Sequence, residues 1–401
     1  MKIRIMKKYC NNIQILHLIK FLSSLYFYHQ VITLYFQARG LNFVQINSLW
    51  GIIMGVQALA EVPTGLIADK MGRKFSIVTA LGLQFAGELL FIFADSYFFF
   101  VIICVIAGTG FAFLSGCFEA MLVDSLKAEK REKDIQKVTG LNGSFGLAAT
   151  LIGSLIGGLI TAKLELSTFV QAIILTAFFV LLSCLAALLL KEPDLDYTHD
   201  ENPFQLLKDG LHLIKTNHSL QKIIILFLLA TPFINYLLNF YPPYFVDANV
   251  NGYLFGITLA AGSLLGIAAS KYAYLLEKMM GVRNGMLGAV IIPGLFYLLL
   301  AFIRHPVFSV ALVILAFGSM FLQKPLFSDY LNRHIQSRNR ATVLSLINFL
   351  SGFYVALIGL FIGFLADRSL PSAFIFMGSL ITAAALILRI SEKQVQPVSE
   401  P

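Results

Sequence analysis

Gly65-Leu66-Ile67-Ala68-Asp69-Lys70-Met71-Gly72-Arg73-Lys74 joins two long apolar stretches and packs two glycines, an aspartate and three cations into ten residues. Hydrocarbon offers no partner to a turning backbone or to that much charge, so the run must lie at a membrane surface. It marks a boundary, and the stretches on either side of it read as membrane spans.

Composition agrees. Of 401 residues, 58% are hydrophobic and 13% charged, with a mean hydropathy of +0.79. Soluble domains carry about 25% charged residues, so this chain lacks the polar surface to stay in water and reads as a polytopic membrane protein. Cys10, Cys104, Cys117 and Cys184 have no metal-ligand spacing and read as small core residues without disulfides. Basic Met1–Lys8 leads to Asn11-Asn12 and no small-residue cleavage site, which argues against a cleaved signal peptide. No Gly-x-x-x-x-Gly-Lys phosphate loop, metal cluster or nucleophile constellation occurs in the sequence. The reading is therefore not an enzyme, with no cofactor and no direct ATP drive.

A crossing takes about 20 apolar residues. Twelve spans follow, at roughly 13–36, 43–68, 75–94, 97–123, 138–162, 169–190, 223–246, 253–274, 286–303, 307–327, 341–366 and 373–390. Residues 1–190 form one six-helix half, and residues 222–401 form the other with a short polar tail. Residues 191–221 form a linker too polar to span, in which Phe204, Leu207, Leu211 and Ile214 predict a surface amphipathic helix. With this alternation Lys and Arg crowd one face, and only Arg39, Lys163, Arg304 and Arg368 fall on the other. The positive-inside rule puts both termini and the linker in the cytoplasm. The net charge of +8 belongs to topology and lipid headgroups, not to nucleic acid.

The halves repeat. Asp124-Ser125-Leu126 and Asp329-Tyr330-Leu331 stand 205 residues apart, as do Ile156-Gly157-Gly158-Leu159 and Phe361-Ile362-Gly363-Phe364. Each half starts on the same side, so the repeat is parallel. Gly363–Arg368 imitates the opening stretch, but topology puts it on the outer face. The counterpart is Lys271–Gly285, where the pattern has decayed to Lys278, Gly281 and Arg283.

Gly65, Asp69, Lys70, Gly72, Arg73 and Lys74 fill every fixed position of Gly-x-x-x-Asp-Arg/Lys-x-Gly-Arg-Lys/Arg, between spans 2 and 3. The chain thereby resembles the major facilitator superfamily of secondary transporters. The resemblance implies an all-α fold of twelve transmembrane helices in two pseudo-symmetric halves, with a small-molecule site near the midplane. It also implies that Asp69, Arg73 and Asp124 form a charged latch, with Asp69 at the N-terminus of span 11. Gly153-Ser154-Leu155-Ile156-Gly157-Gly158 is similar to a glycine motif of proton-coupled drug antiporters, with serine for proline. That pattern points to export. Cys104–Ala107 lack the arginine those antiporters place before Gly108 and Gly110, so their proton relay does not transfer.

Ionisable groups inside spans cost about 2.5–3.5 kcal/mol at the helix centre and need a reason. Glu61 lies about 12 Å in, counting 1.5 Å per residue from Asp69. It is expected half-buried, and with Glu119 it is a proton-coupling candidate. The resemblance places spans 1, 4, 7 and 10 around the cavity and spans 3, 6, 9 and 12 outside it. Tyr26, His29, Gln30, Thr33, Glu119, Asn235, Tyr236, Asn239 and Lys324 are then the cavity candidates. Glu88, on span 3, is expected to reach the outer interface or a neighbouring helix. Pro242-Pro243 should break or bend the outer end of span 7. Glu119 and Lys324 stand 205 residues apart, as an opposed pair or as a substrate carboxylate beside a snorkelling lysine.

The expected function is proton-coupled export of a hydrophobic or amphipathic small molecule by a monomer in the bacterial inner or sole membrane. Protons are the expected coupling ion. Proton-coupled nutrient uptake stays open, as does a non-transporting sensor or lipid scramblase. The sequence names neither the substrate nor the direction.

Overall fold

The computed structural model describes residues 10–193, 214–335 and 340–388. These residues form helices and short connections, with no strand among them. The expected amphipathic helix falls outside the described residues, except for Ile214. Eleven helical segments are long and apolar enough to cross a membrane. Span 1 falls into two pieces, neither long enough alone.

Spans 2 and 3 run Phe43–Met71 and Arg73–Phe93. Spans 5 and 6 run Ile135–Ile160 and Leu166–Ala187, and spans 11 and 12 run Arg340–Arg368 and Leu370–Leu388. Pro63 stays inside span 2. It brings no donor for the turn before it, and the Thr64 hydroxyl donates to the Ala60 carbonyl at 2.7 Å.

Spans 1, 4, 7 and 10 are interrupted. Span 1 is Cys10–Ser23, then a non-helical stretch, then Ile32–Ala38. Span 4 is Tyr97–Leu114 and Cys117–Ala128, separated at Ser115-Gly116. Span 7 is His218–Ala230 and Phe233–Asp247, separated at Thr231-Pro232. Span 10 is Pro306–Met320 and Gln323–His334, separated at Phe321-Leu322. Gly116 has φ +73°, a conformation that favours glycine. The expected break at Pro242-Pro243 is corrected, because the helix runs through both prolines. Tyr241, Tyr244 and Phe245 are buried around them and hold the helix despite two missing donors.

Spans 8 and 9 form one helical run, Tyr253–Phe302, which turns at Gly281 (φ 78°, ψ 163°). Gly72, between spans 2 and 3, has φ 91° and ψ 162°. The second turn has lost most of the charged pattern and kept the glycine geometry.

Packing divides the chain into two compact units. One is Met1–Leu41 with Ser48–Thr198, and the other is Asn42–Asn47 with His199–Pro401. The first unit is tied at one end by an aliphatic cluster that includes Leu16, Ile19, Leu81, Met121, Leu126 and Leu190. The second is cored by large rings, among them Phe233, Phe240, Phe245, Tyr297 and Phe374, all fully buried.

Candidate functional site

The site begins with the interruption of span 1. Beyond Ser23 the backbone makes short-range bonds, with Ser24 N–H donating to Phe21 and Leu25 N–H to Leu22. Phe27 N–H then donates to the Thr176 hydroxyl of span 6 at 3.1 Å, and the Gln30 amide donates to the Phe27 carbonyl at 2.6 Å. Side chains thus replace the missing helical partners. Span 5 makes room for this stretch. A Cβ at Gly153 would come within 2.7 Å of the Tyr26 carbonyl oxygen, and one at Gly157 would overlap the Phe27 carbonyl. The glycine run is a seat for unwound backbone, a use beyond ordinary helix packing.

The interruption opens a cavity of about 520 Å³ inside the first unit. Tyr26, Tyr28 and His29 enter it from span 1, Trp50 from span 2, Gln84 and Glu88 from span 3, and Phe111 from span 4. Tyr26 and His29 stack at 4.7 Å with planes 5° apart, and Gln84 Nε2 donates to the Tyr26 hydroxyl. The Tyr28 hydroxyl lies 2.9 and 3.1 Å from the two carboxylate oxygens of Glu88 and donates to that group. Glu88 is 7% exposed. Among the described residues Tyr28 is its hydrogen-bond partner, and it makes no ion pair. An ionised carboxylate so placed is costly unless a cation or a proton answers it.

Span 3 therefore lines the cavity, contrary to the expectation that it supports from outside. Glu88 does reach a neighbouring helix, and that helix is the interrupted one. Of the span 1 candidates, Tyr26 and His29 line the cavity. Gln30 and Thr33 are fully buried and do not line it. Glu61, expected half-buried, is exposed and accepts from the Ser115 hydroxyl at 3.2 Å, beside the interruption of span 4. Glu119 and Lys324 are exposed and lie in different units. In the second unit Asn235 is exposed, whereas Tyr236 and Asn239 are buried. The Tyr236 hydroxyl donates to the Val355 carbonyl at 2.5 Å, and the Asn239 amide reaches Asn47 at 3.4 Å.

At the opening stretch Arg73 and Asp124 form an ion pair, with the Asp124 side chain buried. Gly65 and Asp69 are exposed. Two residues that the sequence reading passed over complete this corner. The Glu192 carboxylate accepts from the Arg73 and Lys74 N–H groups, each at 2.7 Å, and so caps span 3. A side chain at Gly72 would meet that carboxylate at 2.9 Å. Asn12 donates to the Ser125 hydroxyl at 3.1 Å and to the Lys191 carbonyl at 2.8 Å, and accepts from Lys191 N–H at 3.0 Å. The available signal was Glu192 just before Pro193, where a helix has to stop. Gly363–Arg368, the imitation of the opening stretch, is not a turn. Within the second unit Asp367 accepts from Phe43 and Val44 N–H at 2.7 and 3.2 Å, capping the start of span 2.

The sequence profile described as Major Facilitator Superfamily matches residues 16–359. An uncharacterised MFS-type transporter of Bacillus subtilis (strain 168), YxaM, is 21% identical over 321 residues, 78% of each chain. Among solved structures, the nucleoside transporter NupG superposes with a TM-score of 0.78 at 14% identity, covering 95% of this chain and 98% of its own. A D-xylose-proton symporter gives 0.71 at 12% identity, covering 96% and 99%.

Proposed function

Because the chain belongs to the Major Facilitator Superfamily, whose members are secondary transporters and not enzymes, we propose that it exports an amphipathic small molecule in exchange for protons. The observation that carries this reading is Glu88, a buried carboxylate answered by one tyrosine hydroxyl on the wall of an aromatic cavity. Its charge has to be matched by whatever occupies the cavity, so a proton and a substrate can replace one another there. Aromatic walls suit a bulky, partly apolar ligand. Glu88 takes the proton-carrying role for which Glu61 and Glu119 were candidates, since both of those are exposed. The Arg73–Asp124 pair acts as the cytoplasmic latch, and the protein works as a monomer.

Proton-coupled uptake is the second reading, suggested by the D-xylose-proton symporter that shares this fold. Inside-out vesicles made acidic inside and carrying a pH dye separate the two. Export predicts dequenching when amphipathic amines are added, because protons leave the lumen as substrate enters, whereas uptake predicts quenching with sugars or nucleosides under the opposite gradient, because protons enter the lumen with them. No pH-driven response to either panel would leave the sensor or scramblase reading. Orientation is tested by labelling. A cysteine within Lys191–Gln221 should react only from the cytoplasm, and one within Arg304–Pro306 only from outside.

A further inference from the structure

The cavity of the first unit has a second charged side chain that the transport reading does not use. Lys20, in the last turn of the first piece of span 1, lines it together with Ser23, Ser24 and Thr150. Its stem is seated against span 5, where a Cβ at Gly146 would come within 2.8 Å of Lys20 Cε. No ion pair joins Lys20 to any described residue. Among the described residues Glu88 is engaged by the Tyr28 hydroxyl, and Tyr28 stands eight residues beyond Lys20. The first helical piece ends at Ser23, so Lys20 and Tyr28 are joined by non-helical chain and face the cavity from separate parts of span 1. Between the poles lie Tyr26, His29, Trp50 and Phe111.

We propose that this cavity recognises an amphipathic zwitterion, with its anionic group held at Lys20 and the neighbouring hydroxyls, its cationic group at Glu88, and an apolar body between. The inference rests on the reading of this cavity as the substrate site. Each charge is costly in an apolar bundle without a partner, and each stands on the same cavity wall with no ion-pair partner among the described residues. A ligand carrying both charges at matching separation answers both at once. A ligand with one charge leaves the other pole unpaired, which is the arrangement that gives strong discrimination. A simple cation site would not require Lys20, and the glycine at position 146 that lets Lys20 lie against span 5 would have no use.

Trp50 is the only tryptophan in the chain and lines the cavity, so its emission reports occupancy in the unmodified protein. The probes are ω-aminooctanoate, octylamine and octanoate, titrated against the full chain in lipid nanodiscs, with tetraphenylphosphonium as an apolar cation. The expected result is that ω-aminooctanoate binds at least about tenfold more tightly than either singly charged probe. Lys20→Gln should erase its advantage over octylamine, Lys20→Arg should keep it, and Glu88→Gln should erase its advantage over octanoate. Equal affinities for the three octyl probes in the wild-type protein, with tetraphenylphosphonium bound, would overturn the zwitterion inference and spare the cavity. An advantage that survives Lys20→Gln would overturn it too. Failure of all four probes to alter Trp50 emission would remove the cavity reading, and the inference with it. The wild-type comparison needs no variant to fold.

Discussion

Residues Ser24–Tyr28 leave helical geometry, bond to span 6 and open a cavity, whereas Thr231-Pro232, 205 residues after Tyr26 and Phe27, only interrupt span 7. The difference follows the helix behind each break. Span 5 offers Gly153 and Gly157 to the unwound backbone, and the same positions of span 11 are Ile358 and Ile362. An isoleucine side chain leaves no seat for a carbonyl. Span 7 instead resumes its helix after two residues, and Gly359 receives the Tyr236 ring. One repeated break thus gives a half with a cavity and a half filled with aromatic rings. An interruption becomes a site only where the neighbouring helix yields.

That account is most exposed at Gly157. Gly157→Ala drives a methyl into the Phe27 carbonyl and should cost about 3 kcal/mol or more. Gly359→Ala meets only the end of the Tyr236 side chain at 2.8 Å and should cost about 1 kcal/mol. Thermal unfolding in one detergent compares them, and equal losses would break the glycine explanation. Next comes Glu88→Gln, which should lower pH-driven flux by at least about tenfold. Asn239→Leu, in the second half, should leave the pH dependence of flux in place. A pH response lost equally in both would assign coupling to the whole molecule and not to the half with the cavity.

The two glycine turns sharpen the contrast further. Arg73→Ala should cut transport about fivefold while ligand binding holds, because the pair acts on exchange between states. Arg283→Ala, beside the turn with the decayed pattern, should have a smaller effect on the same flux and binding assays. The smallest effect is expected from Tyr244→Phe. It removes the hydroxyl that meets Ser309 at 2.9 Å and should lower stability by about 1 kcal/mol without changing flux.

Much of the architecture was legible in hydropathy, because crossing a bilayer demands length and apolarity, and both are visible in a linear string. The signature turn was legible because Gly72 and Gly281 keep one backbone conformation even where the surrounding charges differ. The four interruptions were not, since Ser24–Tyr28 and Phe321-Leu322 are as apolar as many helices and depend on what packs behind them. Glu88 was placed on a supporting span because span order does not say how a helix is rotated. One residue turns a side chain by about 100°, enough to choose between lipid and cavity. Glu61 fails for the same reason in the opposite direction. Its distance from Asp69 along the helix says nothing of which way the side chain faces, and depth does not confer burial.

Glu192 caps a helix that begins 119 residues earlier in the chain. During synthesis at about 5–20 residues per second, span 3 enters the membrane on the order of ten seconds before its cap exists. Until then the first N–H groups of that helix lack this carboxylate. The cap on the turn that defines the family is therefore completed only after all six spans of the first half have been made. A truncated or stalled chain ending before Glu192 would present an open helix end at the membrane surface, a ready mark for quality control.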